Sequence, residues 1–244
     1  MKGLIDFIEE QNQKLIEGVY DPGILKAFFT AGGPGSGKSF MAKQAGVGRG
    51  KGKELVNPEG LKVINSDDQF EKMLKDAGMA MNPKNIFSPK GQEVRQKAKE
   101  ITKSMKQNYM DGRLGLLIDG TGKDFNKIKK SSDQLRDLGY DTFMLFVNTS
   151  LDVAQKRNME RARSLDPKEV EKMWNAVQTN IGKFQNYFGR SNFILVDNND
   201  AGEDIFKKLY RQVIGLIRKP VKNPVKNPVG KKWIASELEK KKRN

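Results

Sequence analysis

The sequence has no cysteine and no histidine. Without thiols there is no disulfide framework and no thiolate metal site, and without imidazole the usual neutral-pH acid–base group and nitrogen ligand are missing. Proton transfer must fall to Asp, Glu or Lys. Long apolar runs are lacking as well: none approaches the roughly 18–20 residues that cross a bilayer. Residues 1–10 carry Asp6, Glu9 and Glu10, where a secretory leader has a basic flank followed by an apolar stretch. No aromatic run with interleaved basic residues offers a base-stacking platform for single-stranded nucleic acid. The expectation is a soluble, cytoplasmic protein with no membrane partner.

The 244 residues, 36% hydrophobic and 31% charged, suit one ordered core domain with a small appendage. The net charge of +15 points to polyanionic partners. Ten basic residues and only two acids lie in 218–244, so much of the excess belongs to a tail rather than to the folded body.

Leu4, Ile5, Ile8, Leu15 and Ile16 recur near helical spacing, which predicts an amphipathic helix over 2–18 that Asp21, Pro22 and Gly23 break. Ala27-Phe28-Phe29-Thr30-Ala31 reads as a buried strand, because a glycine-rich turn follows at once. Further strands are expected at 61–64, 114–118, 142–147 and 192–196. Helix-length polar stretches separate them, so the fold class is α/β, a parallel sheet of about five strands flanked by helices. Near the end, Lys222-Asn223-Pro224-Val225 is repeated as Lys226-Asn227-Pro228-Val229. Proline every fourth residue removes donors and fixes φ, which reads as an extended linker. A short charged helix over 232–243, with Trp233, Ile234 and Leu238 on its apolar side, comes after it. The expected division is an N-terminal helix at 1–23, a core at 24–217 and a basic linker and tail at 218–244. The tail is either a solvated segment or an electrostatic contact for nucleic acid or another polyanion.

Gly32-Gly33-Pro34-Gly35-Ser36-Gly37-Lys38-Ser39 matches G-x-x-x-x-G-K-[ST] between a strand and an expected helix, the arrangement of a P-loop NTPase fold. Four glycines let the backbone curl so that its N–H groups point inward, and a helix N-terminus adds positive potential, which together make an anion site. Lys38 then bridges the β- and γ-phosphates of ATP, and the Ser39 hydroxyl sits on Mg²⁺.

Two acidic strand ends accompany the loop. Leu116-Leu117-Ile118 runs into Asp119, placing that carboxylate at the sheet edge where ligands of α/β proteins bind, either as a site residue or as a strand cap. Gly120 follows in place of the glutamate with which ATP-hydrolysing motors polarise water, which favours transfer over hydrolysis. Val63-Ile64-Asn65-Ser66 leads to Asp67 and Asp68. One of these accepts the proton of an acceptor hydroxyl, Asp67 being the candidate base, while the other caps the helix over 69–76 or binds the acceptor. Arg157 and Arg161, four apart, share a helical face and, with Arg163, either neutralise phosphoryl oxygens under a lid hinged at 164–167 or form a solvated face paired with Glu160. Lys123 is placed to hold an anionic acceptor, and Asn198 lies in a polar turn after the last strand.

Taken together, residues 32–39, Asn65-Ser66-Asp67-Asp68, Ile118-Asp119-Gly120-Thr121 and Arg157-Asn158 with Arg161 resemble the P-loop kinases that include polynucleotide 5′-kinases and the zeta toxins. The likeness runs from about Ala27 to Asn199. It implies that Asp67 acts on the acceptor hydroxyl, that Arg157 or Arg161 contacts ATP phosphates, that Asn198 borders adenine, and that Asp119 and Thr121 lie in the acceptor pocket. The arginine that polynucleotide kinases carry three residues after the aspartate is here Phe70. The group phosphorylates nucleic-acid 5′-hydroxyls or UDP-activated amino sugars. Three functions are therefore in view: a kinase for a nucleotide-linked small molecule, a 5′-hydroxyl polynucleotide kinase, and a nucleic-acid-binding ATPase that uses the basic tail.

Overall fold

A computed structural model describes residues 18–38, 60–160, 165–199 and 203–243, leaving out the side chains of 203–210. The expected helix over 2–18, Ser39, and Arg161 with Arg163 fall outside the described residues.

Five strands, β1 (Lys26–Ala31), β2 (Lys62–Ile64), β3 (Leu116–Ile118), β4 (Asp141–Asn148) and β5 (Phe193–Asp197), form one sheet in the order β2-β3-β1-β4-β5. Every pairing is parallel. All five fall where the apolar runs put them, because strands covered on both faces need no polar alternation. Side chains alternate between two buried layers. Phe28, Phe143, Leu145 and Val147 face a layer completed by Val213, Ile217 and Val221. Ala27, Phe29, Met144 and Phe146 face a layer with Leu135, Val177, Phe184 and Phe188.

Most of the helices start on side-chain caps, which satisfy amide donors that have no intrahelical partner. In α1 (Ser66–Asp76) the cap is Asn65, whose Oδ1 accepts the Asp67 N–H at 2.9 Å. This corrects the capping role considered for Asp68: the helix begins three residues earlier than expected. After the single turn α2 (Pro83–Ile86), α3 (Pro89–Asp111) begins at Ser88, whose Oγ accepts the Gly91 N–H at 3.0 Å. Phe70, Leu74, Ile86 and Ala98 bind α1, α2 and α3 into a small lobe with its own core. The helices α4 (Phe125–Asp137), α5 (Leu151–Met159), α6 (Pro167–Gln178) and α7 (Ile181–Phe188) follow.

The C-terminal region keeps the charged helix expected over 232–243 but departs from its sequence reading around the repeat. Helix α8 (Glu203–Lys222) runs through Pro220, and α9 spans Pro228–Arg243. The repeat between them is not a free linker. Val221 and Val225 are buried, and Trp233 and Ile234 pack against the second layer. Asp141 accepts the backbone N–H of Lys226 at 2.8 Å and of Asn227 at 2.9 Å while pairing with Lys26 Nζ at 2.8 Å. Asn227 donates through Nδ2 to the carbonyls of Arg136 and Tyr140, and its Oδ1 accepts the Val229 N–H. The expected basic tail over 218–244 is thus mostly helix docked on the sheet's N-terminal end. Proline reads as a linker when it stands alone, but Pro228 occupies a first helical turn, where its missing N–H costs nothing.

Candidate active site

Residues 32–38 leave β1 at the carboxyl end of the sheet and curl with Gly35 at φ +73° and Gly37 at φ +79°, a left-handed conformation that glycine adopts freely. The approach is also close. A Cβ on Gly35 would lie 2.6 Å from the Ala154 carbonyl of α5, and one on Gly32 would lie 2.6 Å from Ser36 Oγ. Gly32 N–H donates to the Thr121 carbonyl at 3.1 Å, which ties the loop to the segment leaving β3. Pro34 forms the loop's outer turn, and Gly33 lies against the Trp174 side chain of α6.

Lys38 and Asp119 meet directly. Lys38 Nζ donates to Asp119 Oδ1 at 2.7 Å, with the two side chains 10% and 8% exposed. Thr30 Oγ donates to the same oxygen at 2.6 Å and accepts the Gly120 N–H at 3.2 Å. Asp119 Oδ2 takes no hydrogen bond from the described residues. A hard oxygen beside a phosphate cradle fits Mg²⁺, which takes one or two protein carboxylates and completes its octahedron with phosphate oxygens and water.

Beneath the loop, Asn198 is buried and donates from Nδ2 to the Ser36 carbonyl at 2.7 Å. Arg157 Nη1 donates to the carbonyls of Gly35 at 3.2 Å and Asn198 at 2.9 Å. Burial lowers the Arg157 pKa, yet a guanidinium stays charged. Arg157 thereby ties the Gly35 carbonyl of the loop to the segment that follows β5. Helix α5 is described as far as Met159, and Arg161, expected to share a face with Arg157, lies outside the described residues.

Asp67 stands in the first turn of α1 with its side chain 81% exposed, and Arg95 Nη1 of α3 lies 4.0 Å from it. That guanidinium stacks over Phe70, 4.3 Å from the ring centroid. A cation thus reaches Asp67 from another helix, although Phe70 replaces the arginine of the sequence pattern. Asp68 is half-buried, while Thr121 and Lys123 are exposed in the loop after β3. Lys123 borders a cavity that also takes in Asp119, and Lys106, Lys127 and Ser131 line it too. Sequence reasoning missed these three, since they reach the cavity from two helices and form no local pattern.

A phosphate loop on a parallel five-stranded sheet, with its lysine facing an acidic strand end, defines a P-loop kinase. The zeta toxin family profile matches residues 21–209, and the chain belongs to that family. No curated protein matches the sequence. Among solved structures, AvrRxo1-ORF1:AvrRxo1-ORF2 with sulphate ions is similar at a TM-score of 0.55 and 14% identity, over 86% of this chain and 71% of that one. The same complex with ATP gives 0.54 and 14%, over 86% and 70%. A candidate kinase from Chloroflexus aurantiacus gives 0.51 and 13%, over 80% and 97%. At these identities the likeness is one of fold. No helix among the described residues is long and apolar enough to cross a membrane.

Proposed function

We propose that the protein transfers the γ-phosphoryl group of ATP to a hydroxyl of a nucleotide-linked small molecule. The observation that carries this reading is Asp119, shared between the Lys38 side of the cradle and the wall of the neighbouring cavity, so that donor and acceptor meet at one carboxylate. ATP as donor is further supported by the ATP complex of a protein with a similar fold.

In this mechanism backbone N–H groups of the loop after Pro34 hold the phosphates, and Lys38 moves from Asp119 to the β- and γ-oxygens. Ser39 and Asp119 would hold Mg²⁺, which when bound would neutralise developing phosphate charge. Asp67 orients the acceptor hydroxyl and takes its proton as the new P–O bond forms and the bond to the β–γ bridging oxygen breaks, releasing ADP. Arg157 fixes the loop from beneath, and Arg161 and Arg163 neutralise the transferring group. Asn198 keeps the nucleotide side of the loop in place. Asp68, Thr121 and Lys123 contact the acceptor.

The test is transfer from labelled ATP to nucleotide-sugars, nucleotides and 5′-hydroxyl oligonucleotides. Label on a nucleotide-linked small molecule is the expected result, and label on oligonucleotides alone would replace this reading with a polynucleotide kinase. ATP hydrolysis that no acceptor captures would point to an ATPase. Asp67→Asn should lower single-turnover transfer by about 10²-fold or more with ATP·Mg²⁺ affinity near normal, because the amide keeps the size but cannot take the proton. Weakened ATP·Mg²⁺ binding with intact chemistry would move Asp67 from base to metal shell.

A further inference from the structure

Helix α9 lies beyond residue 209, where the match to the family profile ends. It sits at the amino end of the sheet, away from the phosphate loop at the carboxyl end. Residues 218–243 hold ten Lys or Arg and two acids, and all ten cations are exposed. Of the acids, Glu237 pairs with Lys240 at 2.8 Å and Glu239 is exposed. The carboxylates nearest the sheet are turned inward: Asp141 serves Lys26 and two backbone N–H groups, and Asp21 pairs with Lys62. Exposed Asp111 and Asp137, at the ends of α3 and α4, bring the outer acids of this end to four against the ten cations.

Packing fixes where these charges stand. Trp233 and Ile234 join the second core layer, and Lys241 Nζ lies over the Tyr20 ring, 4.6 Å from its centroid. The outward side of α9 is left to Lys231, Lys232, Ala235, Glu239, Lys242 and Arg243, all exposed. Lys231 and Lys242 are eleven positions apart, as are Lys232 and Arg243, so each pair falls on one line along the helix, about three turns or 16 Å in length. The major groove of B-DNA is about 12 Å wide. Cations at that separation reach the phosphates on both rims of the groove, and the small Ala235 between them lets the helix approach. A docked helix also presents its charges without the ordering cost that a disordered tail meets on binding.

Other polyanions fit less well. Since the apolar residues of α9 are spent on the core, a bilayer would meet cations with no apolar face to bury. Single strands call for aromatic platforms on which bases stack, but Trp233 is packed inside and Tyr20 lies under Lys241. We propose that the outward side of α9 binds the phosphate backbone of double-stranded DNA without reading its sequence, holding the protein by the end opposite its nucleotide site.

The test is fluorescence anisotropy of a labelled DNA duplex titrated with the full chain. Binding is expected at about 50 mM salt, with affinity falling at least tenfold by about 200 mM as counterions are released. A duplex of unrelated sequence should bind within about threefold. Lys231→Gln, Lys232→Gln, Lys242→Gln and Arg243→Gln combined should weaken binding at least tenfold and flatten the salt dependence. Lys231→Arg, Lys232→Arg and Lys242→Arg combined should keep it within about threefold. Affinity for a non-hydrolysable ATP analogue and melting temperature should be unchanged in both. If the glutamine variant melts lower, Lys242→Gln with Arg243→Gln, confined to the last turn, serves instead, with a loss of at least threefold expected. Saturating DNA should leave analogue affinity as it was, whereas competition between the two would put the DNA at the phosphate loop and overturn the inference. Absence of binding at the lower salt, or binding that the glutamine variants do not alter, overturns it as well. Tighter binding to an RNA duplex or to phosphatidylserine vesicles would replace DNA as the partner. None of these outcomes depends on phosphoryl transfer, so the acceptor screen succeeds or fails separately.

Discussion

Lys38 and Asp119 form an ion pair with both side chains about nine-tenths buried, so neither can lose its partner without leaving a charge poorly hydrated. Removing one member of a buried pair costs about 3–5 kcal/mol, while removing both often costs little. Lys38→Met and Asp119→Asn should each lower the nucleotide-free melting temperature, and the double variant should recover part of the loss. Melting curves for the three variants give the coupling, expected at about 1 kcal/mol or more; strictly additive losses would show that the pair contributes nothing. The phosphate loop and Asp119 were legible in the sequence because consecutive residues encode them. Arg157 stands out in the sequence as a cation, but its bonds to the Gly35 and Asn198 carbonyls depend on how α5 lies under the loop, which spacing does not reveal. Lys106 and Ser131 are 25 positions apart, and only the packing of α3 beside α4 brings them together.

At the scale of elements, two identical tetrapeptides do different work. Asn223 is exposed, whereas Asn227 bonds two carbonyls and the first turn of α9. Asn227→Ala should therefore cost about 1–2 kcal/mol, the range for a lost cap, and lower the melting temperature by about 2–8 °C. Asn223→Ala should leave it unchanged. Equal shifts in the two variants would mean that the docked geometry does not hold the segment. The five strands were readable because their apolar runs end in turn residues. The repeat was misread because local chemistry suits both a linker and a helix start, and the choice between them is made by Asp141, 85 residues away from Lys226.

For the molecule as a whole, α9 and the last turn of α8 complete both layers that cover the sheet. Val221 closes one, and Val225, Trp233 and Ile234 close the other. At about 1.5–3 kcal/mol for each fully buried apolar side chain, truncation after Ile217 removes an amount comparable with the 5–15 kcal/mol that holds a typical domain together. The truncated chain should lose its cooperative melting transition by calorimetry, and a transition within a few degrees of the full chain would return 218–244 to the status of an appendage. This closure also bears on how the sequence can change over generations. Gly139, at φ +99°, and Gly230 pack backbone to backbone: a side chain on Gly139 would strike the Gly230 N–H at 2.6 Å, and one on Gly230 would strike the Gly139 carbonyl. A mutation at either position cannot be rescued by one at the other, because each clash is with the partner's backbone, which no substitution removes. Descendants of this sequence that keep α9 docked must inherit both glycines together, and a lineage that loses one is free to lose the other and the docking with it.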